Sequence, residues 1–514
     1  MSAFTGPMEY FSVQFHDPAI PLPDYDDANG YFGVVKFQVR SDVAIPSGVY
    51  LVHMEKDGSG SMSILTSDGR SRDEHVKATI CNAIRALTKI AMANPQIHIY
   101  VQVSDFDTAV YPVLQLSQIS PDNVEQLVAA VQDRKLPEGN TNLENALSDS
   151  VKSCDAFLAL HPDAHVLSVV TTDGEVNNGE CNKYRLQEIV KDRPYPTVCI
   201  GYGAEHNADL LITVGSSYFY VSDFERAGEP IGEMLQNLLY IAIANTHLHI
   251  ANGEIWHEKQ WMDTLPLGNA IGGSSKTFSV RSKTPLEVRV QLSDIMETST
   301  PTFSDLTRDM FRHKTVILLA EARDNLAEDI VGPIHPQFSA TYAADMERYE
   351  VEMLAYEQRI QSNLDEKKTL RDKLKVFFRL MKDYAKSNHM ENEALMKQLL
   401  DDVYTVWLAL GNRFTQNEAR AFTQAKYICN ERQLSNNTSA RIATQTTPLR
   451  RQNARYDSQE CDSPCKLQRT CMTHPGMDEE EDDDELDHEL TDGVVSAYAT
   501  QSTIAMMNEI SSLN

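Results

Sequence analysis

Residues 46–245 predict an α/β domain with a doubly wound, mostly parallel sheet, set between β-rich flanks and followed by a helical region with an acidic tail. Two observations predict it. Between about 47 and 245, short apolar runs alternate with amphipathic stretches, which is the pattern of parallel strands wrapped by helices. On either side the pattern becomes alternating residues and turns, and from Ala344 onward it becomes a three-four helical repeat. With 514 residues, 42% of them hydrophobic, the chain can build two or three domains and at least one full core.

Taken in order, 1–45 reads as an N-terminal β-rich flank, with Tyr10–Phe15 and Phe32–Val39 as strands. In the 46–245 domain the candidate strands are Gly48–Met54, Ile97–Val103, His165–Thr171, Thr197–Tyr202 and Tyr218–Val221, with Thr108–Leu116 as an antiparallel edge. The helix Asp73–Ala93 repeats Val76, Ile80, Ile84 and Leu87 at helical spacing, and Glu229–Ala244 reads as the closing helix. The segment 246–335 returns to strand signals at Thr246–Ile255, Thr277–Arg281 and Leu286–Leu292. The two flanks are expected to pair into one small antiparallel module with the α/β domain inserted between them; two unrelated sets of edge strands are the alternative.

In 340–430, Met346, Tyr349, Met353, Tyr356, Ile360, Leu370, Leu374, Phe377, Met381 and Tyr384 share one register, interrupted by Asn363 and Lys367. Such a stripe is either the buried face of a helical hairpin closed by Glu391–Leu410, or a coiled coil through which the chain self-associates, its Asn setting the register. The last segment, 431–514, reads as a low-order tail: ten of the twelve residues Asp478–Glu489 are acidic, and such a run has no apolar surface to bury.

A formal net charge of −28 excludes the clustered basic surface that nucleic acid demands and points to proteins or cations as partners. The start of the chain lacks a basic segment followed by an apolar one, and the longest strongly apolar run, Leu238–Ala244, is too short to span a bilayer, so the expectation is a soluble, cytoplasmic protein. Eight unevenly spread cysteines make no disulfide framework. Cys461, Cys465, Cys471 and His474 fall within fourteen residues, but at no specific zinc spacing, and free thiols are the simpler reading.

The chemistry concentrates in three segments. Asp57-Gly58-Ser59-Gly60-Ser61-Met62 follows the first strand, and its carboxylate and two hydroxyls alternate with glycines in a way that lets the oxygens converge. Pro137-Glu138-Gly139-Asn140-Thr141-Asn142 is a turn before a helix and offers the Thr141 hydroxyl. Val169-Val170-Thr171-Thr172-Asp173-Gly174 ends a strand in a carboxylate. An all-oxygen donor set suits Mg²⁺, Mn²⁺ or Ca²⁺ better than zinc.

In this order, the segments resemble the von Willebrand factor A (vWA) domain of the intracellular Asp-x-Ser-Gly-Ser-Met type, over roughly 45–245. The resemblance implies a metal-ion-dependent adhesion site (MIDAS) at Asp57, Ser59, Ser61, Thr141 and Asp173, with hydroxyls on the metal and aspartates often acting through water. It also implies a partner protein that completes the metal shell with an Asp or Glu. Ser104–Ala109 is similar to the family as well. One departure is Glu55-Lys56, where the family carries apolar residues; the expectation is a strand that ends at Met54 with both charges at its rim.

Catalytic readings lack their hallmarks. There is no Gly-x4-Gly-Lys-Ser/Thr loop, Gly201-Tyr202-Gly203-Ala204 extends to no dinucleotide fingerprint, and Ser59 and Ser61 sit in no Gly-x-Ser-x-Gly elbow. A metal-assisted hydrolase would need a general base, and no histidine lies in the three loops. The favoured function is a metal-dependent protein-interaction module. A non-catalytic component of a ubiquitin-pathway or hydrolase assembly is the alternative.

Overall fold

The computed structural model describes residues 7–23, 30–66, 68–135, 139–203, 206–221, 228–293, 296–297, 300–327, 330–336, 342–411, 414–433 and 497–511. Cys461, Cys465, Cys471, His474 and Asp478–Glu489 lie outside the described residues.

The central sheet has six strands in the spatial order Val110–Gln118, Ile97–Phe106, Gly48–Asp57, His165–Thr172, Thr197–Tyr202 and Ser217–Val221. All neighbours are parallel except Val110–Gln118, which pairs antiparallel at the edge. Counted along the chain this is the doubly wound order 3-2-1-4-5-6, which reverses between Gly48–Asp57 and His165–Thr172. Helices Arg72–Ala93, Val124–Gln132 and Gly228–Leu239 cover one face, and Leu143–Leu160, Lys183–Val190 and Ala208–Val214 cover the other. Because both faces are covered, Tyr50 to Asp57 is buried at every position.

The two β-rich flanks do pair. Ser275–Ser282 lies antiparallel to Tyr31–Val39, inside a six-stranded sheet that also holds Met8–His16, Glu254–His257, Gln260–Met262 and Thr302–Ser304. A second sheet of Thr264–Ile271, Ile241–Ala251, Arg289–Leu292 and Met296–Glu297 packs against it over Phe11, Phe37, Leu248, Ile250 and Val290. The alternating burial of Ile241–Ala251 is that of a strand with one solvated face.

Several expectations need correction. The closing helix stops at Leu239, not Ala244, since β-branched Ile241 and Ile243 already belong to the β-module. Thr246–Ile255 is two strands broken by a turn in which Asn252 takes φ +60°. Within the supposed β-rich 246–335 lies a 21-residue helix, Thr307–Ala327, whose first amide donates to the Asp305 carboxylate at 3.0 Å. That helix is buried on most sides, polar Arg312, His313 and Thr315 included, so it has no one-sided stripe to read.

Thr307–Ala327 packs with Tyr342–Ser387, Ala394–Ala409 and Gln416–Arg432 into a helical bundle. Of the register read from the sequence, Leu370, Leu374, Phe377 and Met381 are buried, whereas Met346, Tyr349, Met353, Tyr356, Ile360 and Tyr384 are only half-buried; outside the register, Val351 and Leu354 are exposed. The bundle shares one continuous core with the Leu143–Leu160 face of the sheet, and Phe422 meets Tyr220 edge-to-face at 5.1 Å between ring centres.

Residues 501–511, placed within the low-order tail, form the helix Gln501–Ser511 seated on the opposite face of the sheet. Asn82 donates to the Ile510 carbonyl at 2.9 Å and Lys89 pairs with Glu509 at 2.6 Å. Gly232 lets the two helix backbones close, because a Cβ there would sit 2.8 Å from the Met507 Cα.

Candidate functional site

The crevice at the carboxyl ends of Gly48–Asp57 and His165–Thr172 is where the strand order reverses, the position at which doubly wound sheets bind ligands. All five residues singled out from the sequence meet there. Ser59 Oγ and Ser61 Oγ are 3.0 Å apart, and Ser61 donates to Asp173 Oδ1 at 2.7 Å. Thr141 Oγ1 and Ser61 Oγ lie 3.5 and 3.6 Å from where a side chain on Gly174 would begin, so glycine keeps the space over the hydroxyls open.

The loops are fixed by backbone bonds between them. Ser59 bridges Gly139, Gly60 N–H donates to the Gly139 carbonyl at 3.2 Å, and Gly58 N–H donates to Phe106 at 2.7 Å. Asp107 accepts from Gly139 N–H at 3.0 Å, and its carbonyl accepts from Asn142 N–H at 2.9 Å. The Ser104–Ala109 similarity thus has a positioning role. Thr141 N–H donates to Asn177 Oδ1 at 2.8 Å, which ties the third hydroxyl to the loop after Asp173.

Asp57 is fully buried and accepts from Ser59 N–H at 2.8 Å and Thr172 Oγ1 at 2.5 Å. Burial pushes its carboxyl up to about 6, against the Thr172 hydrogen bond and with the nearby Asp173 charge adding to the rise. Its Oδ1 is held by Ser59 and its Oδ2 by Thr172, so Asp57 shapes the site from behind; Asp173, also buried, stands behind Ser61, and the hydroxyls line the cleft.

The expectation for Glu55 and Lys56 fails. The strand runs unbroken to Asp57, and the two side chains are 0% and 1% exposed. They point to opposite faces. Lys56 Nζ meets Asp73 Oδ1 at 2.5 Å and Asp105 Oδ1 at 3.2 Å; Lys77 adds 2.7 Å to Asp73, and Arg134 adds 3.4 Å to Asp105. Burial raises the Asp105 carboxyl, and the Lys56 charge opposes the rise. A buried charge survives here because its partners come from the helix start and the neighbouring strand, a compensation invisible in the strand's own sequence. Glu55 faces the helix Leu143–Leu160 beside His53 and Asp149, and burial followed by Asp149 holds its carboxyl well above the usual range.

Sequence reasoning also missed Arg72, the first residue of its helix, whose Nη1 lies 2.6 Å from Asp173 Oδ2. It further missed the outer wall. The site opens into a cleft of about 880 Å³ lined by Ser59, Ser61, Thr141 and Glu175 and, from the helical bundle, by Thr415, Asn417 and Glu418. Asn417 reaches Glu175 at 3.4 Å, and Glu418 closes a capping box with Thr415. The only signal was Thr415-x-x-Glu418 itself, which marks a helix start and says nothing of where that start lies. No histidine lines the cleft among the described residues.

No protein-family model and no curated protein matches the chain. Among solved structures, similarity extends to a von Willebrand factor type A protein from Catenulispora acidiphila, at 15% identity and TM-score 0.43, over 71% of this chain and 90% of that one. It extends to the ArnB paralog VWA2 from Sulfolobus acidocaldarius at 11% identity and TM-score 0.40, over 82% and 97%. Proximal thread matrix protein 1 from the mussel byssus, with a zinc-occupied MIDAS motif, is similar at 13% identity and TM-score 0.31, over 42% and 51%.

Proposed function

We propose that the protein is a metal-dependent interaction module, in which a divalent cation of the Mg²⁺ type is held over Ser59, Ser61, Thr141 and Asp173 and accepts a carboxylate from a partner protein. The observation that carries this reading is the convergence of three hydroxyls on the floor of an open cleft at the strand-order reversal, with the Asp173 carboxylate from a third loop bonded to Ser61 directly behind them. Every donor is oxygen, which matches the preference of a hard cation. Asp57 organises the loop from behind, and with Asp173 it balances a divalent charge. When bound, the metal supplies a Lewis-acidic position facing the cleft. The chain supplies the walls: Glu175 and Glu418 repel a broad acidic surface, so the favoured partner presents one Asp or Glu on a narrow projection.

Arg72 bears on affinity. Its guanidinium already pairs with Asp173 Oδ2, so a cation entering at Oδ1 gains less from that carboxylate. The binding module is favoured over hydrolysis because, among the described residues, the cleft lining offers no imidazole as general base.

The test is an array of peptides with a single Asp or Glu at varied positions, probed with the full-length chain in Mg²⁺ and in EDTA. Binding to a subset that needs both the acidic residue and the metal, and that Thr141→Ala removes, is the expected result. Binding unchanged by EDTA and by Thr141→Ala would place recognition elsewhere.

A further inference from the structure

Beneath the sheet, on the face opposite Lys56, His53 and Glu55 stand at alternate positions of the strand Gly48–Asp57 and therefore project to the same side, toward Asp149 on the helix Leu143–Leu160. One donor atom from each of the three residues lies within 4.8 Å of the other two, and His53 Nε2 is 3.5 Å from Glu55 Oε1. Both strand residues are completely buried. Among the described residues neither ring nitrogen of His53 has a hydrogen-bond partner, and the Glu55 carboxyl, bonded to no backbone group, has only the Asp149 carboxyl within reach.

Orphaned polar atoms at that depth demand a reason, because an unpartnered buried polar group costs on the order of 1–3 kcal/mol and a charged one more. A core histidine held for packing would borrow a hydroxyl or amide from its sheet neighbours. The neighbours in register with His53 are Gln102 and Ser168, and both are polar. Both are also committed elsewhere: Gln102 donates to Ser153 at 3.0 Å, and Ser168 pairs with Ser150 at 2.6 Å. The sheet thus provides hydrogen-bonding side chains around His53 and leaves its ring unserved, with the polar atoms of His53 and Glu55 turned toward one another and toward Asp149.

We propose that His53, Glu55 and Asp149 form a second metal site, for a divalent cation of the zinc class, distinct from the cleft at the strand ends. One imidazole nitrogen and two carboxylates make a borderline donor set, unlike the hydroxyl-rich cleft, and three protein ligands leave a fourth position for water. Two zinc bonds of about 2.1 Å at a tetrahedral angle place their donors roughly 3.4 Å apart, close to the separation of His53 Nε2 and Glu55 Oε1. The cation neutralises two carboxylates that Lys56 cannot serve, since its side chain is turned toward Asp73 and Asp105 on the other face. Asp149, only partly buried, is the side of entry. Joining the central strand to a covering helix, the ion acts as a clamp directly behind the loop that begins at Asp57.

The proposal does not rest on the interaction function. Its test uses full-length protein stripped with a strong chelator, then titrated with Zn²⁺ and, as a spectroscopic probe, Co²⁺. Wild type and the double variant Thr141→Ala, Asp173→Ala should both take up one Zn²⁺ and develop the visible absorption of low-coordinate Co²⁺ with a nitrogen ligand. His53→Gln and Asp149→Asn should each weaken uptake at least tenfold. The nearly isosteric, partly exposed Asp149→Asn serves where His53→Gln fails to fold. Absence of Zn²⁺ uptake by folded wild type, or uptake and Co²⁺ spectra unchanged in folded Asp149→Asn, overturns the site; uptake lost only in the double variant assigns the zinc to the cleft and overturns it equally.

Discussion

Lys56 shows how a single side chain escapes its sequence context. Charges beside a doubly covered strand suggest a strand end, and the expectation of a strand stopping at Met54 followed from that rule. The structure instead surrounds the ammonium with Asp73 and Asp105, and these are backed by Lys77 and Arg134. Removing one member of such a network leaves the rest uncompensated. Lys56→Met should cost about 3 kcal/mol in denaturant unfolding, and adding Asp105→Asn should return part of the loss. An unaffected midpoint in the single variant would contradict the network's structural role.

Arg72 gives a second prediction at this scale. If its pairing with Asp173 competes with the cation, Arg72→Gln should tighten Mg²⁺ binding about tenfold, as expected for removing a like charge a few ångströms away at a partly exposed position. Calorimetry of the variant decides it; weaker binding would make Arg72 a positioning group instead. His206 gives a third. It is wholly buried with Nε2 2.7 Å from the Tyr218 hydroxyl, and desolvation lowers its pKa from 6.5 to about 4. The unfolded chain therefore takes up a proton between pH 6.5 and 4 that the folded chain refuses, and stability falls as pH falls through that window. Relative to His206→Gln, wild type should lose about 3 kcal/mol from pH 7 to pH 4, measured by urea unfolding. A pH-independent difference would contradict the buried neutral imidazole.

At the scale of elements, legibility followed periodicity. The parallel strands, the antiparallel edge and the helix Arg72–Ala93 were readable because each carries one clean period. The three candidate site loops were readable because glycine, hydroxyl and carboxylate residues cluster at two strand ends and one helix start. Thr307–Ala327 was not, because burial on most sides erases a stripe. Nor was Gln501–Ser511, eleven residues whose Met506, Met507 and Ile510 gain meaning only against Gly228 and Gly232. Gly232→Ala should push that helix off the sheet, lowering stability by about 1–3 kcal/mol and exposing 497–511 to proteolysis. Unchanged protease resistance would show that the contact tolerates a methyl group.

At the scale of the whole molecule, the order along the chain hides two joinings. The flanks 8–39 and 241–304 close on each other around the inserted α/β domain, which the matching strand signals on both sides foreshadowed. The helical bundle folds back so that Thr415, Asn417 and Glu418 wall the cleft some 240 residues after Thr172, and no local pattern announces such a contact. Its consequence is functional: the cleft is a slot between two domains instead of an open plateau, and this narrows what enters it. Of the bundle's long stripe, Leu370 to Met381 is core, while the half before it is only half-buried.

The central claim, a cation held at the strand ends by hydroxyls and a carboxylate from three loops, is tested most directly by calorimetric titration of Mg²⁺ into chelator-stripped full-length protein and into Asp173→Ala. The account predicts a saturable metal-dependent heat in the wild type that is lost in Asp173→Ala while circular dichroism shows the variant still folded. No metal-dependent heat in the wild type, or heat unchanged by Asp173→Ala, would contradict it.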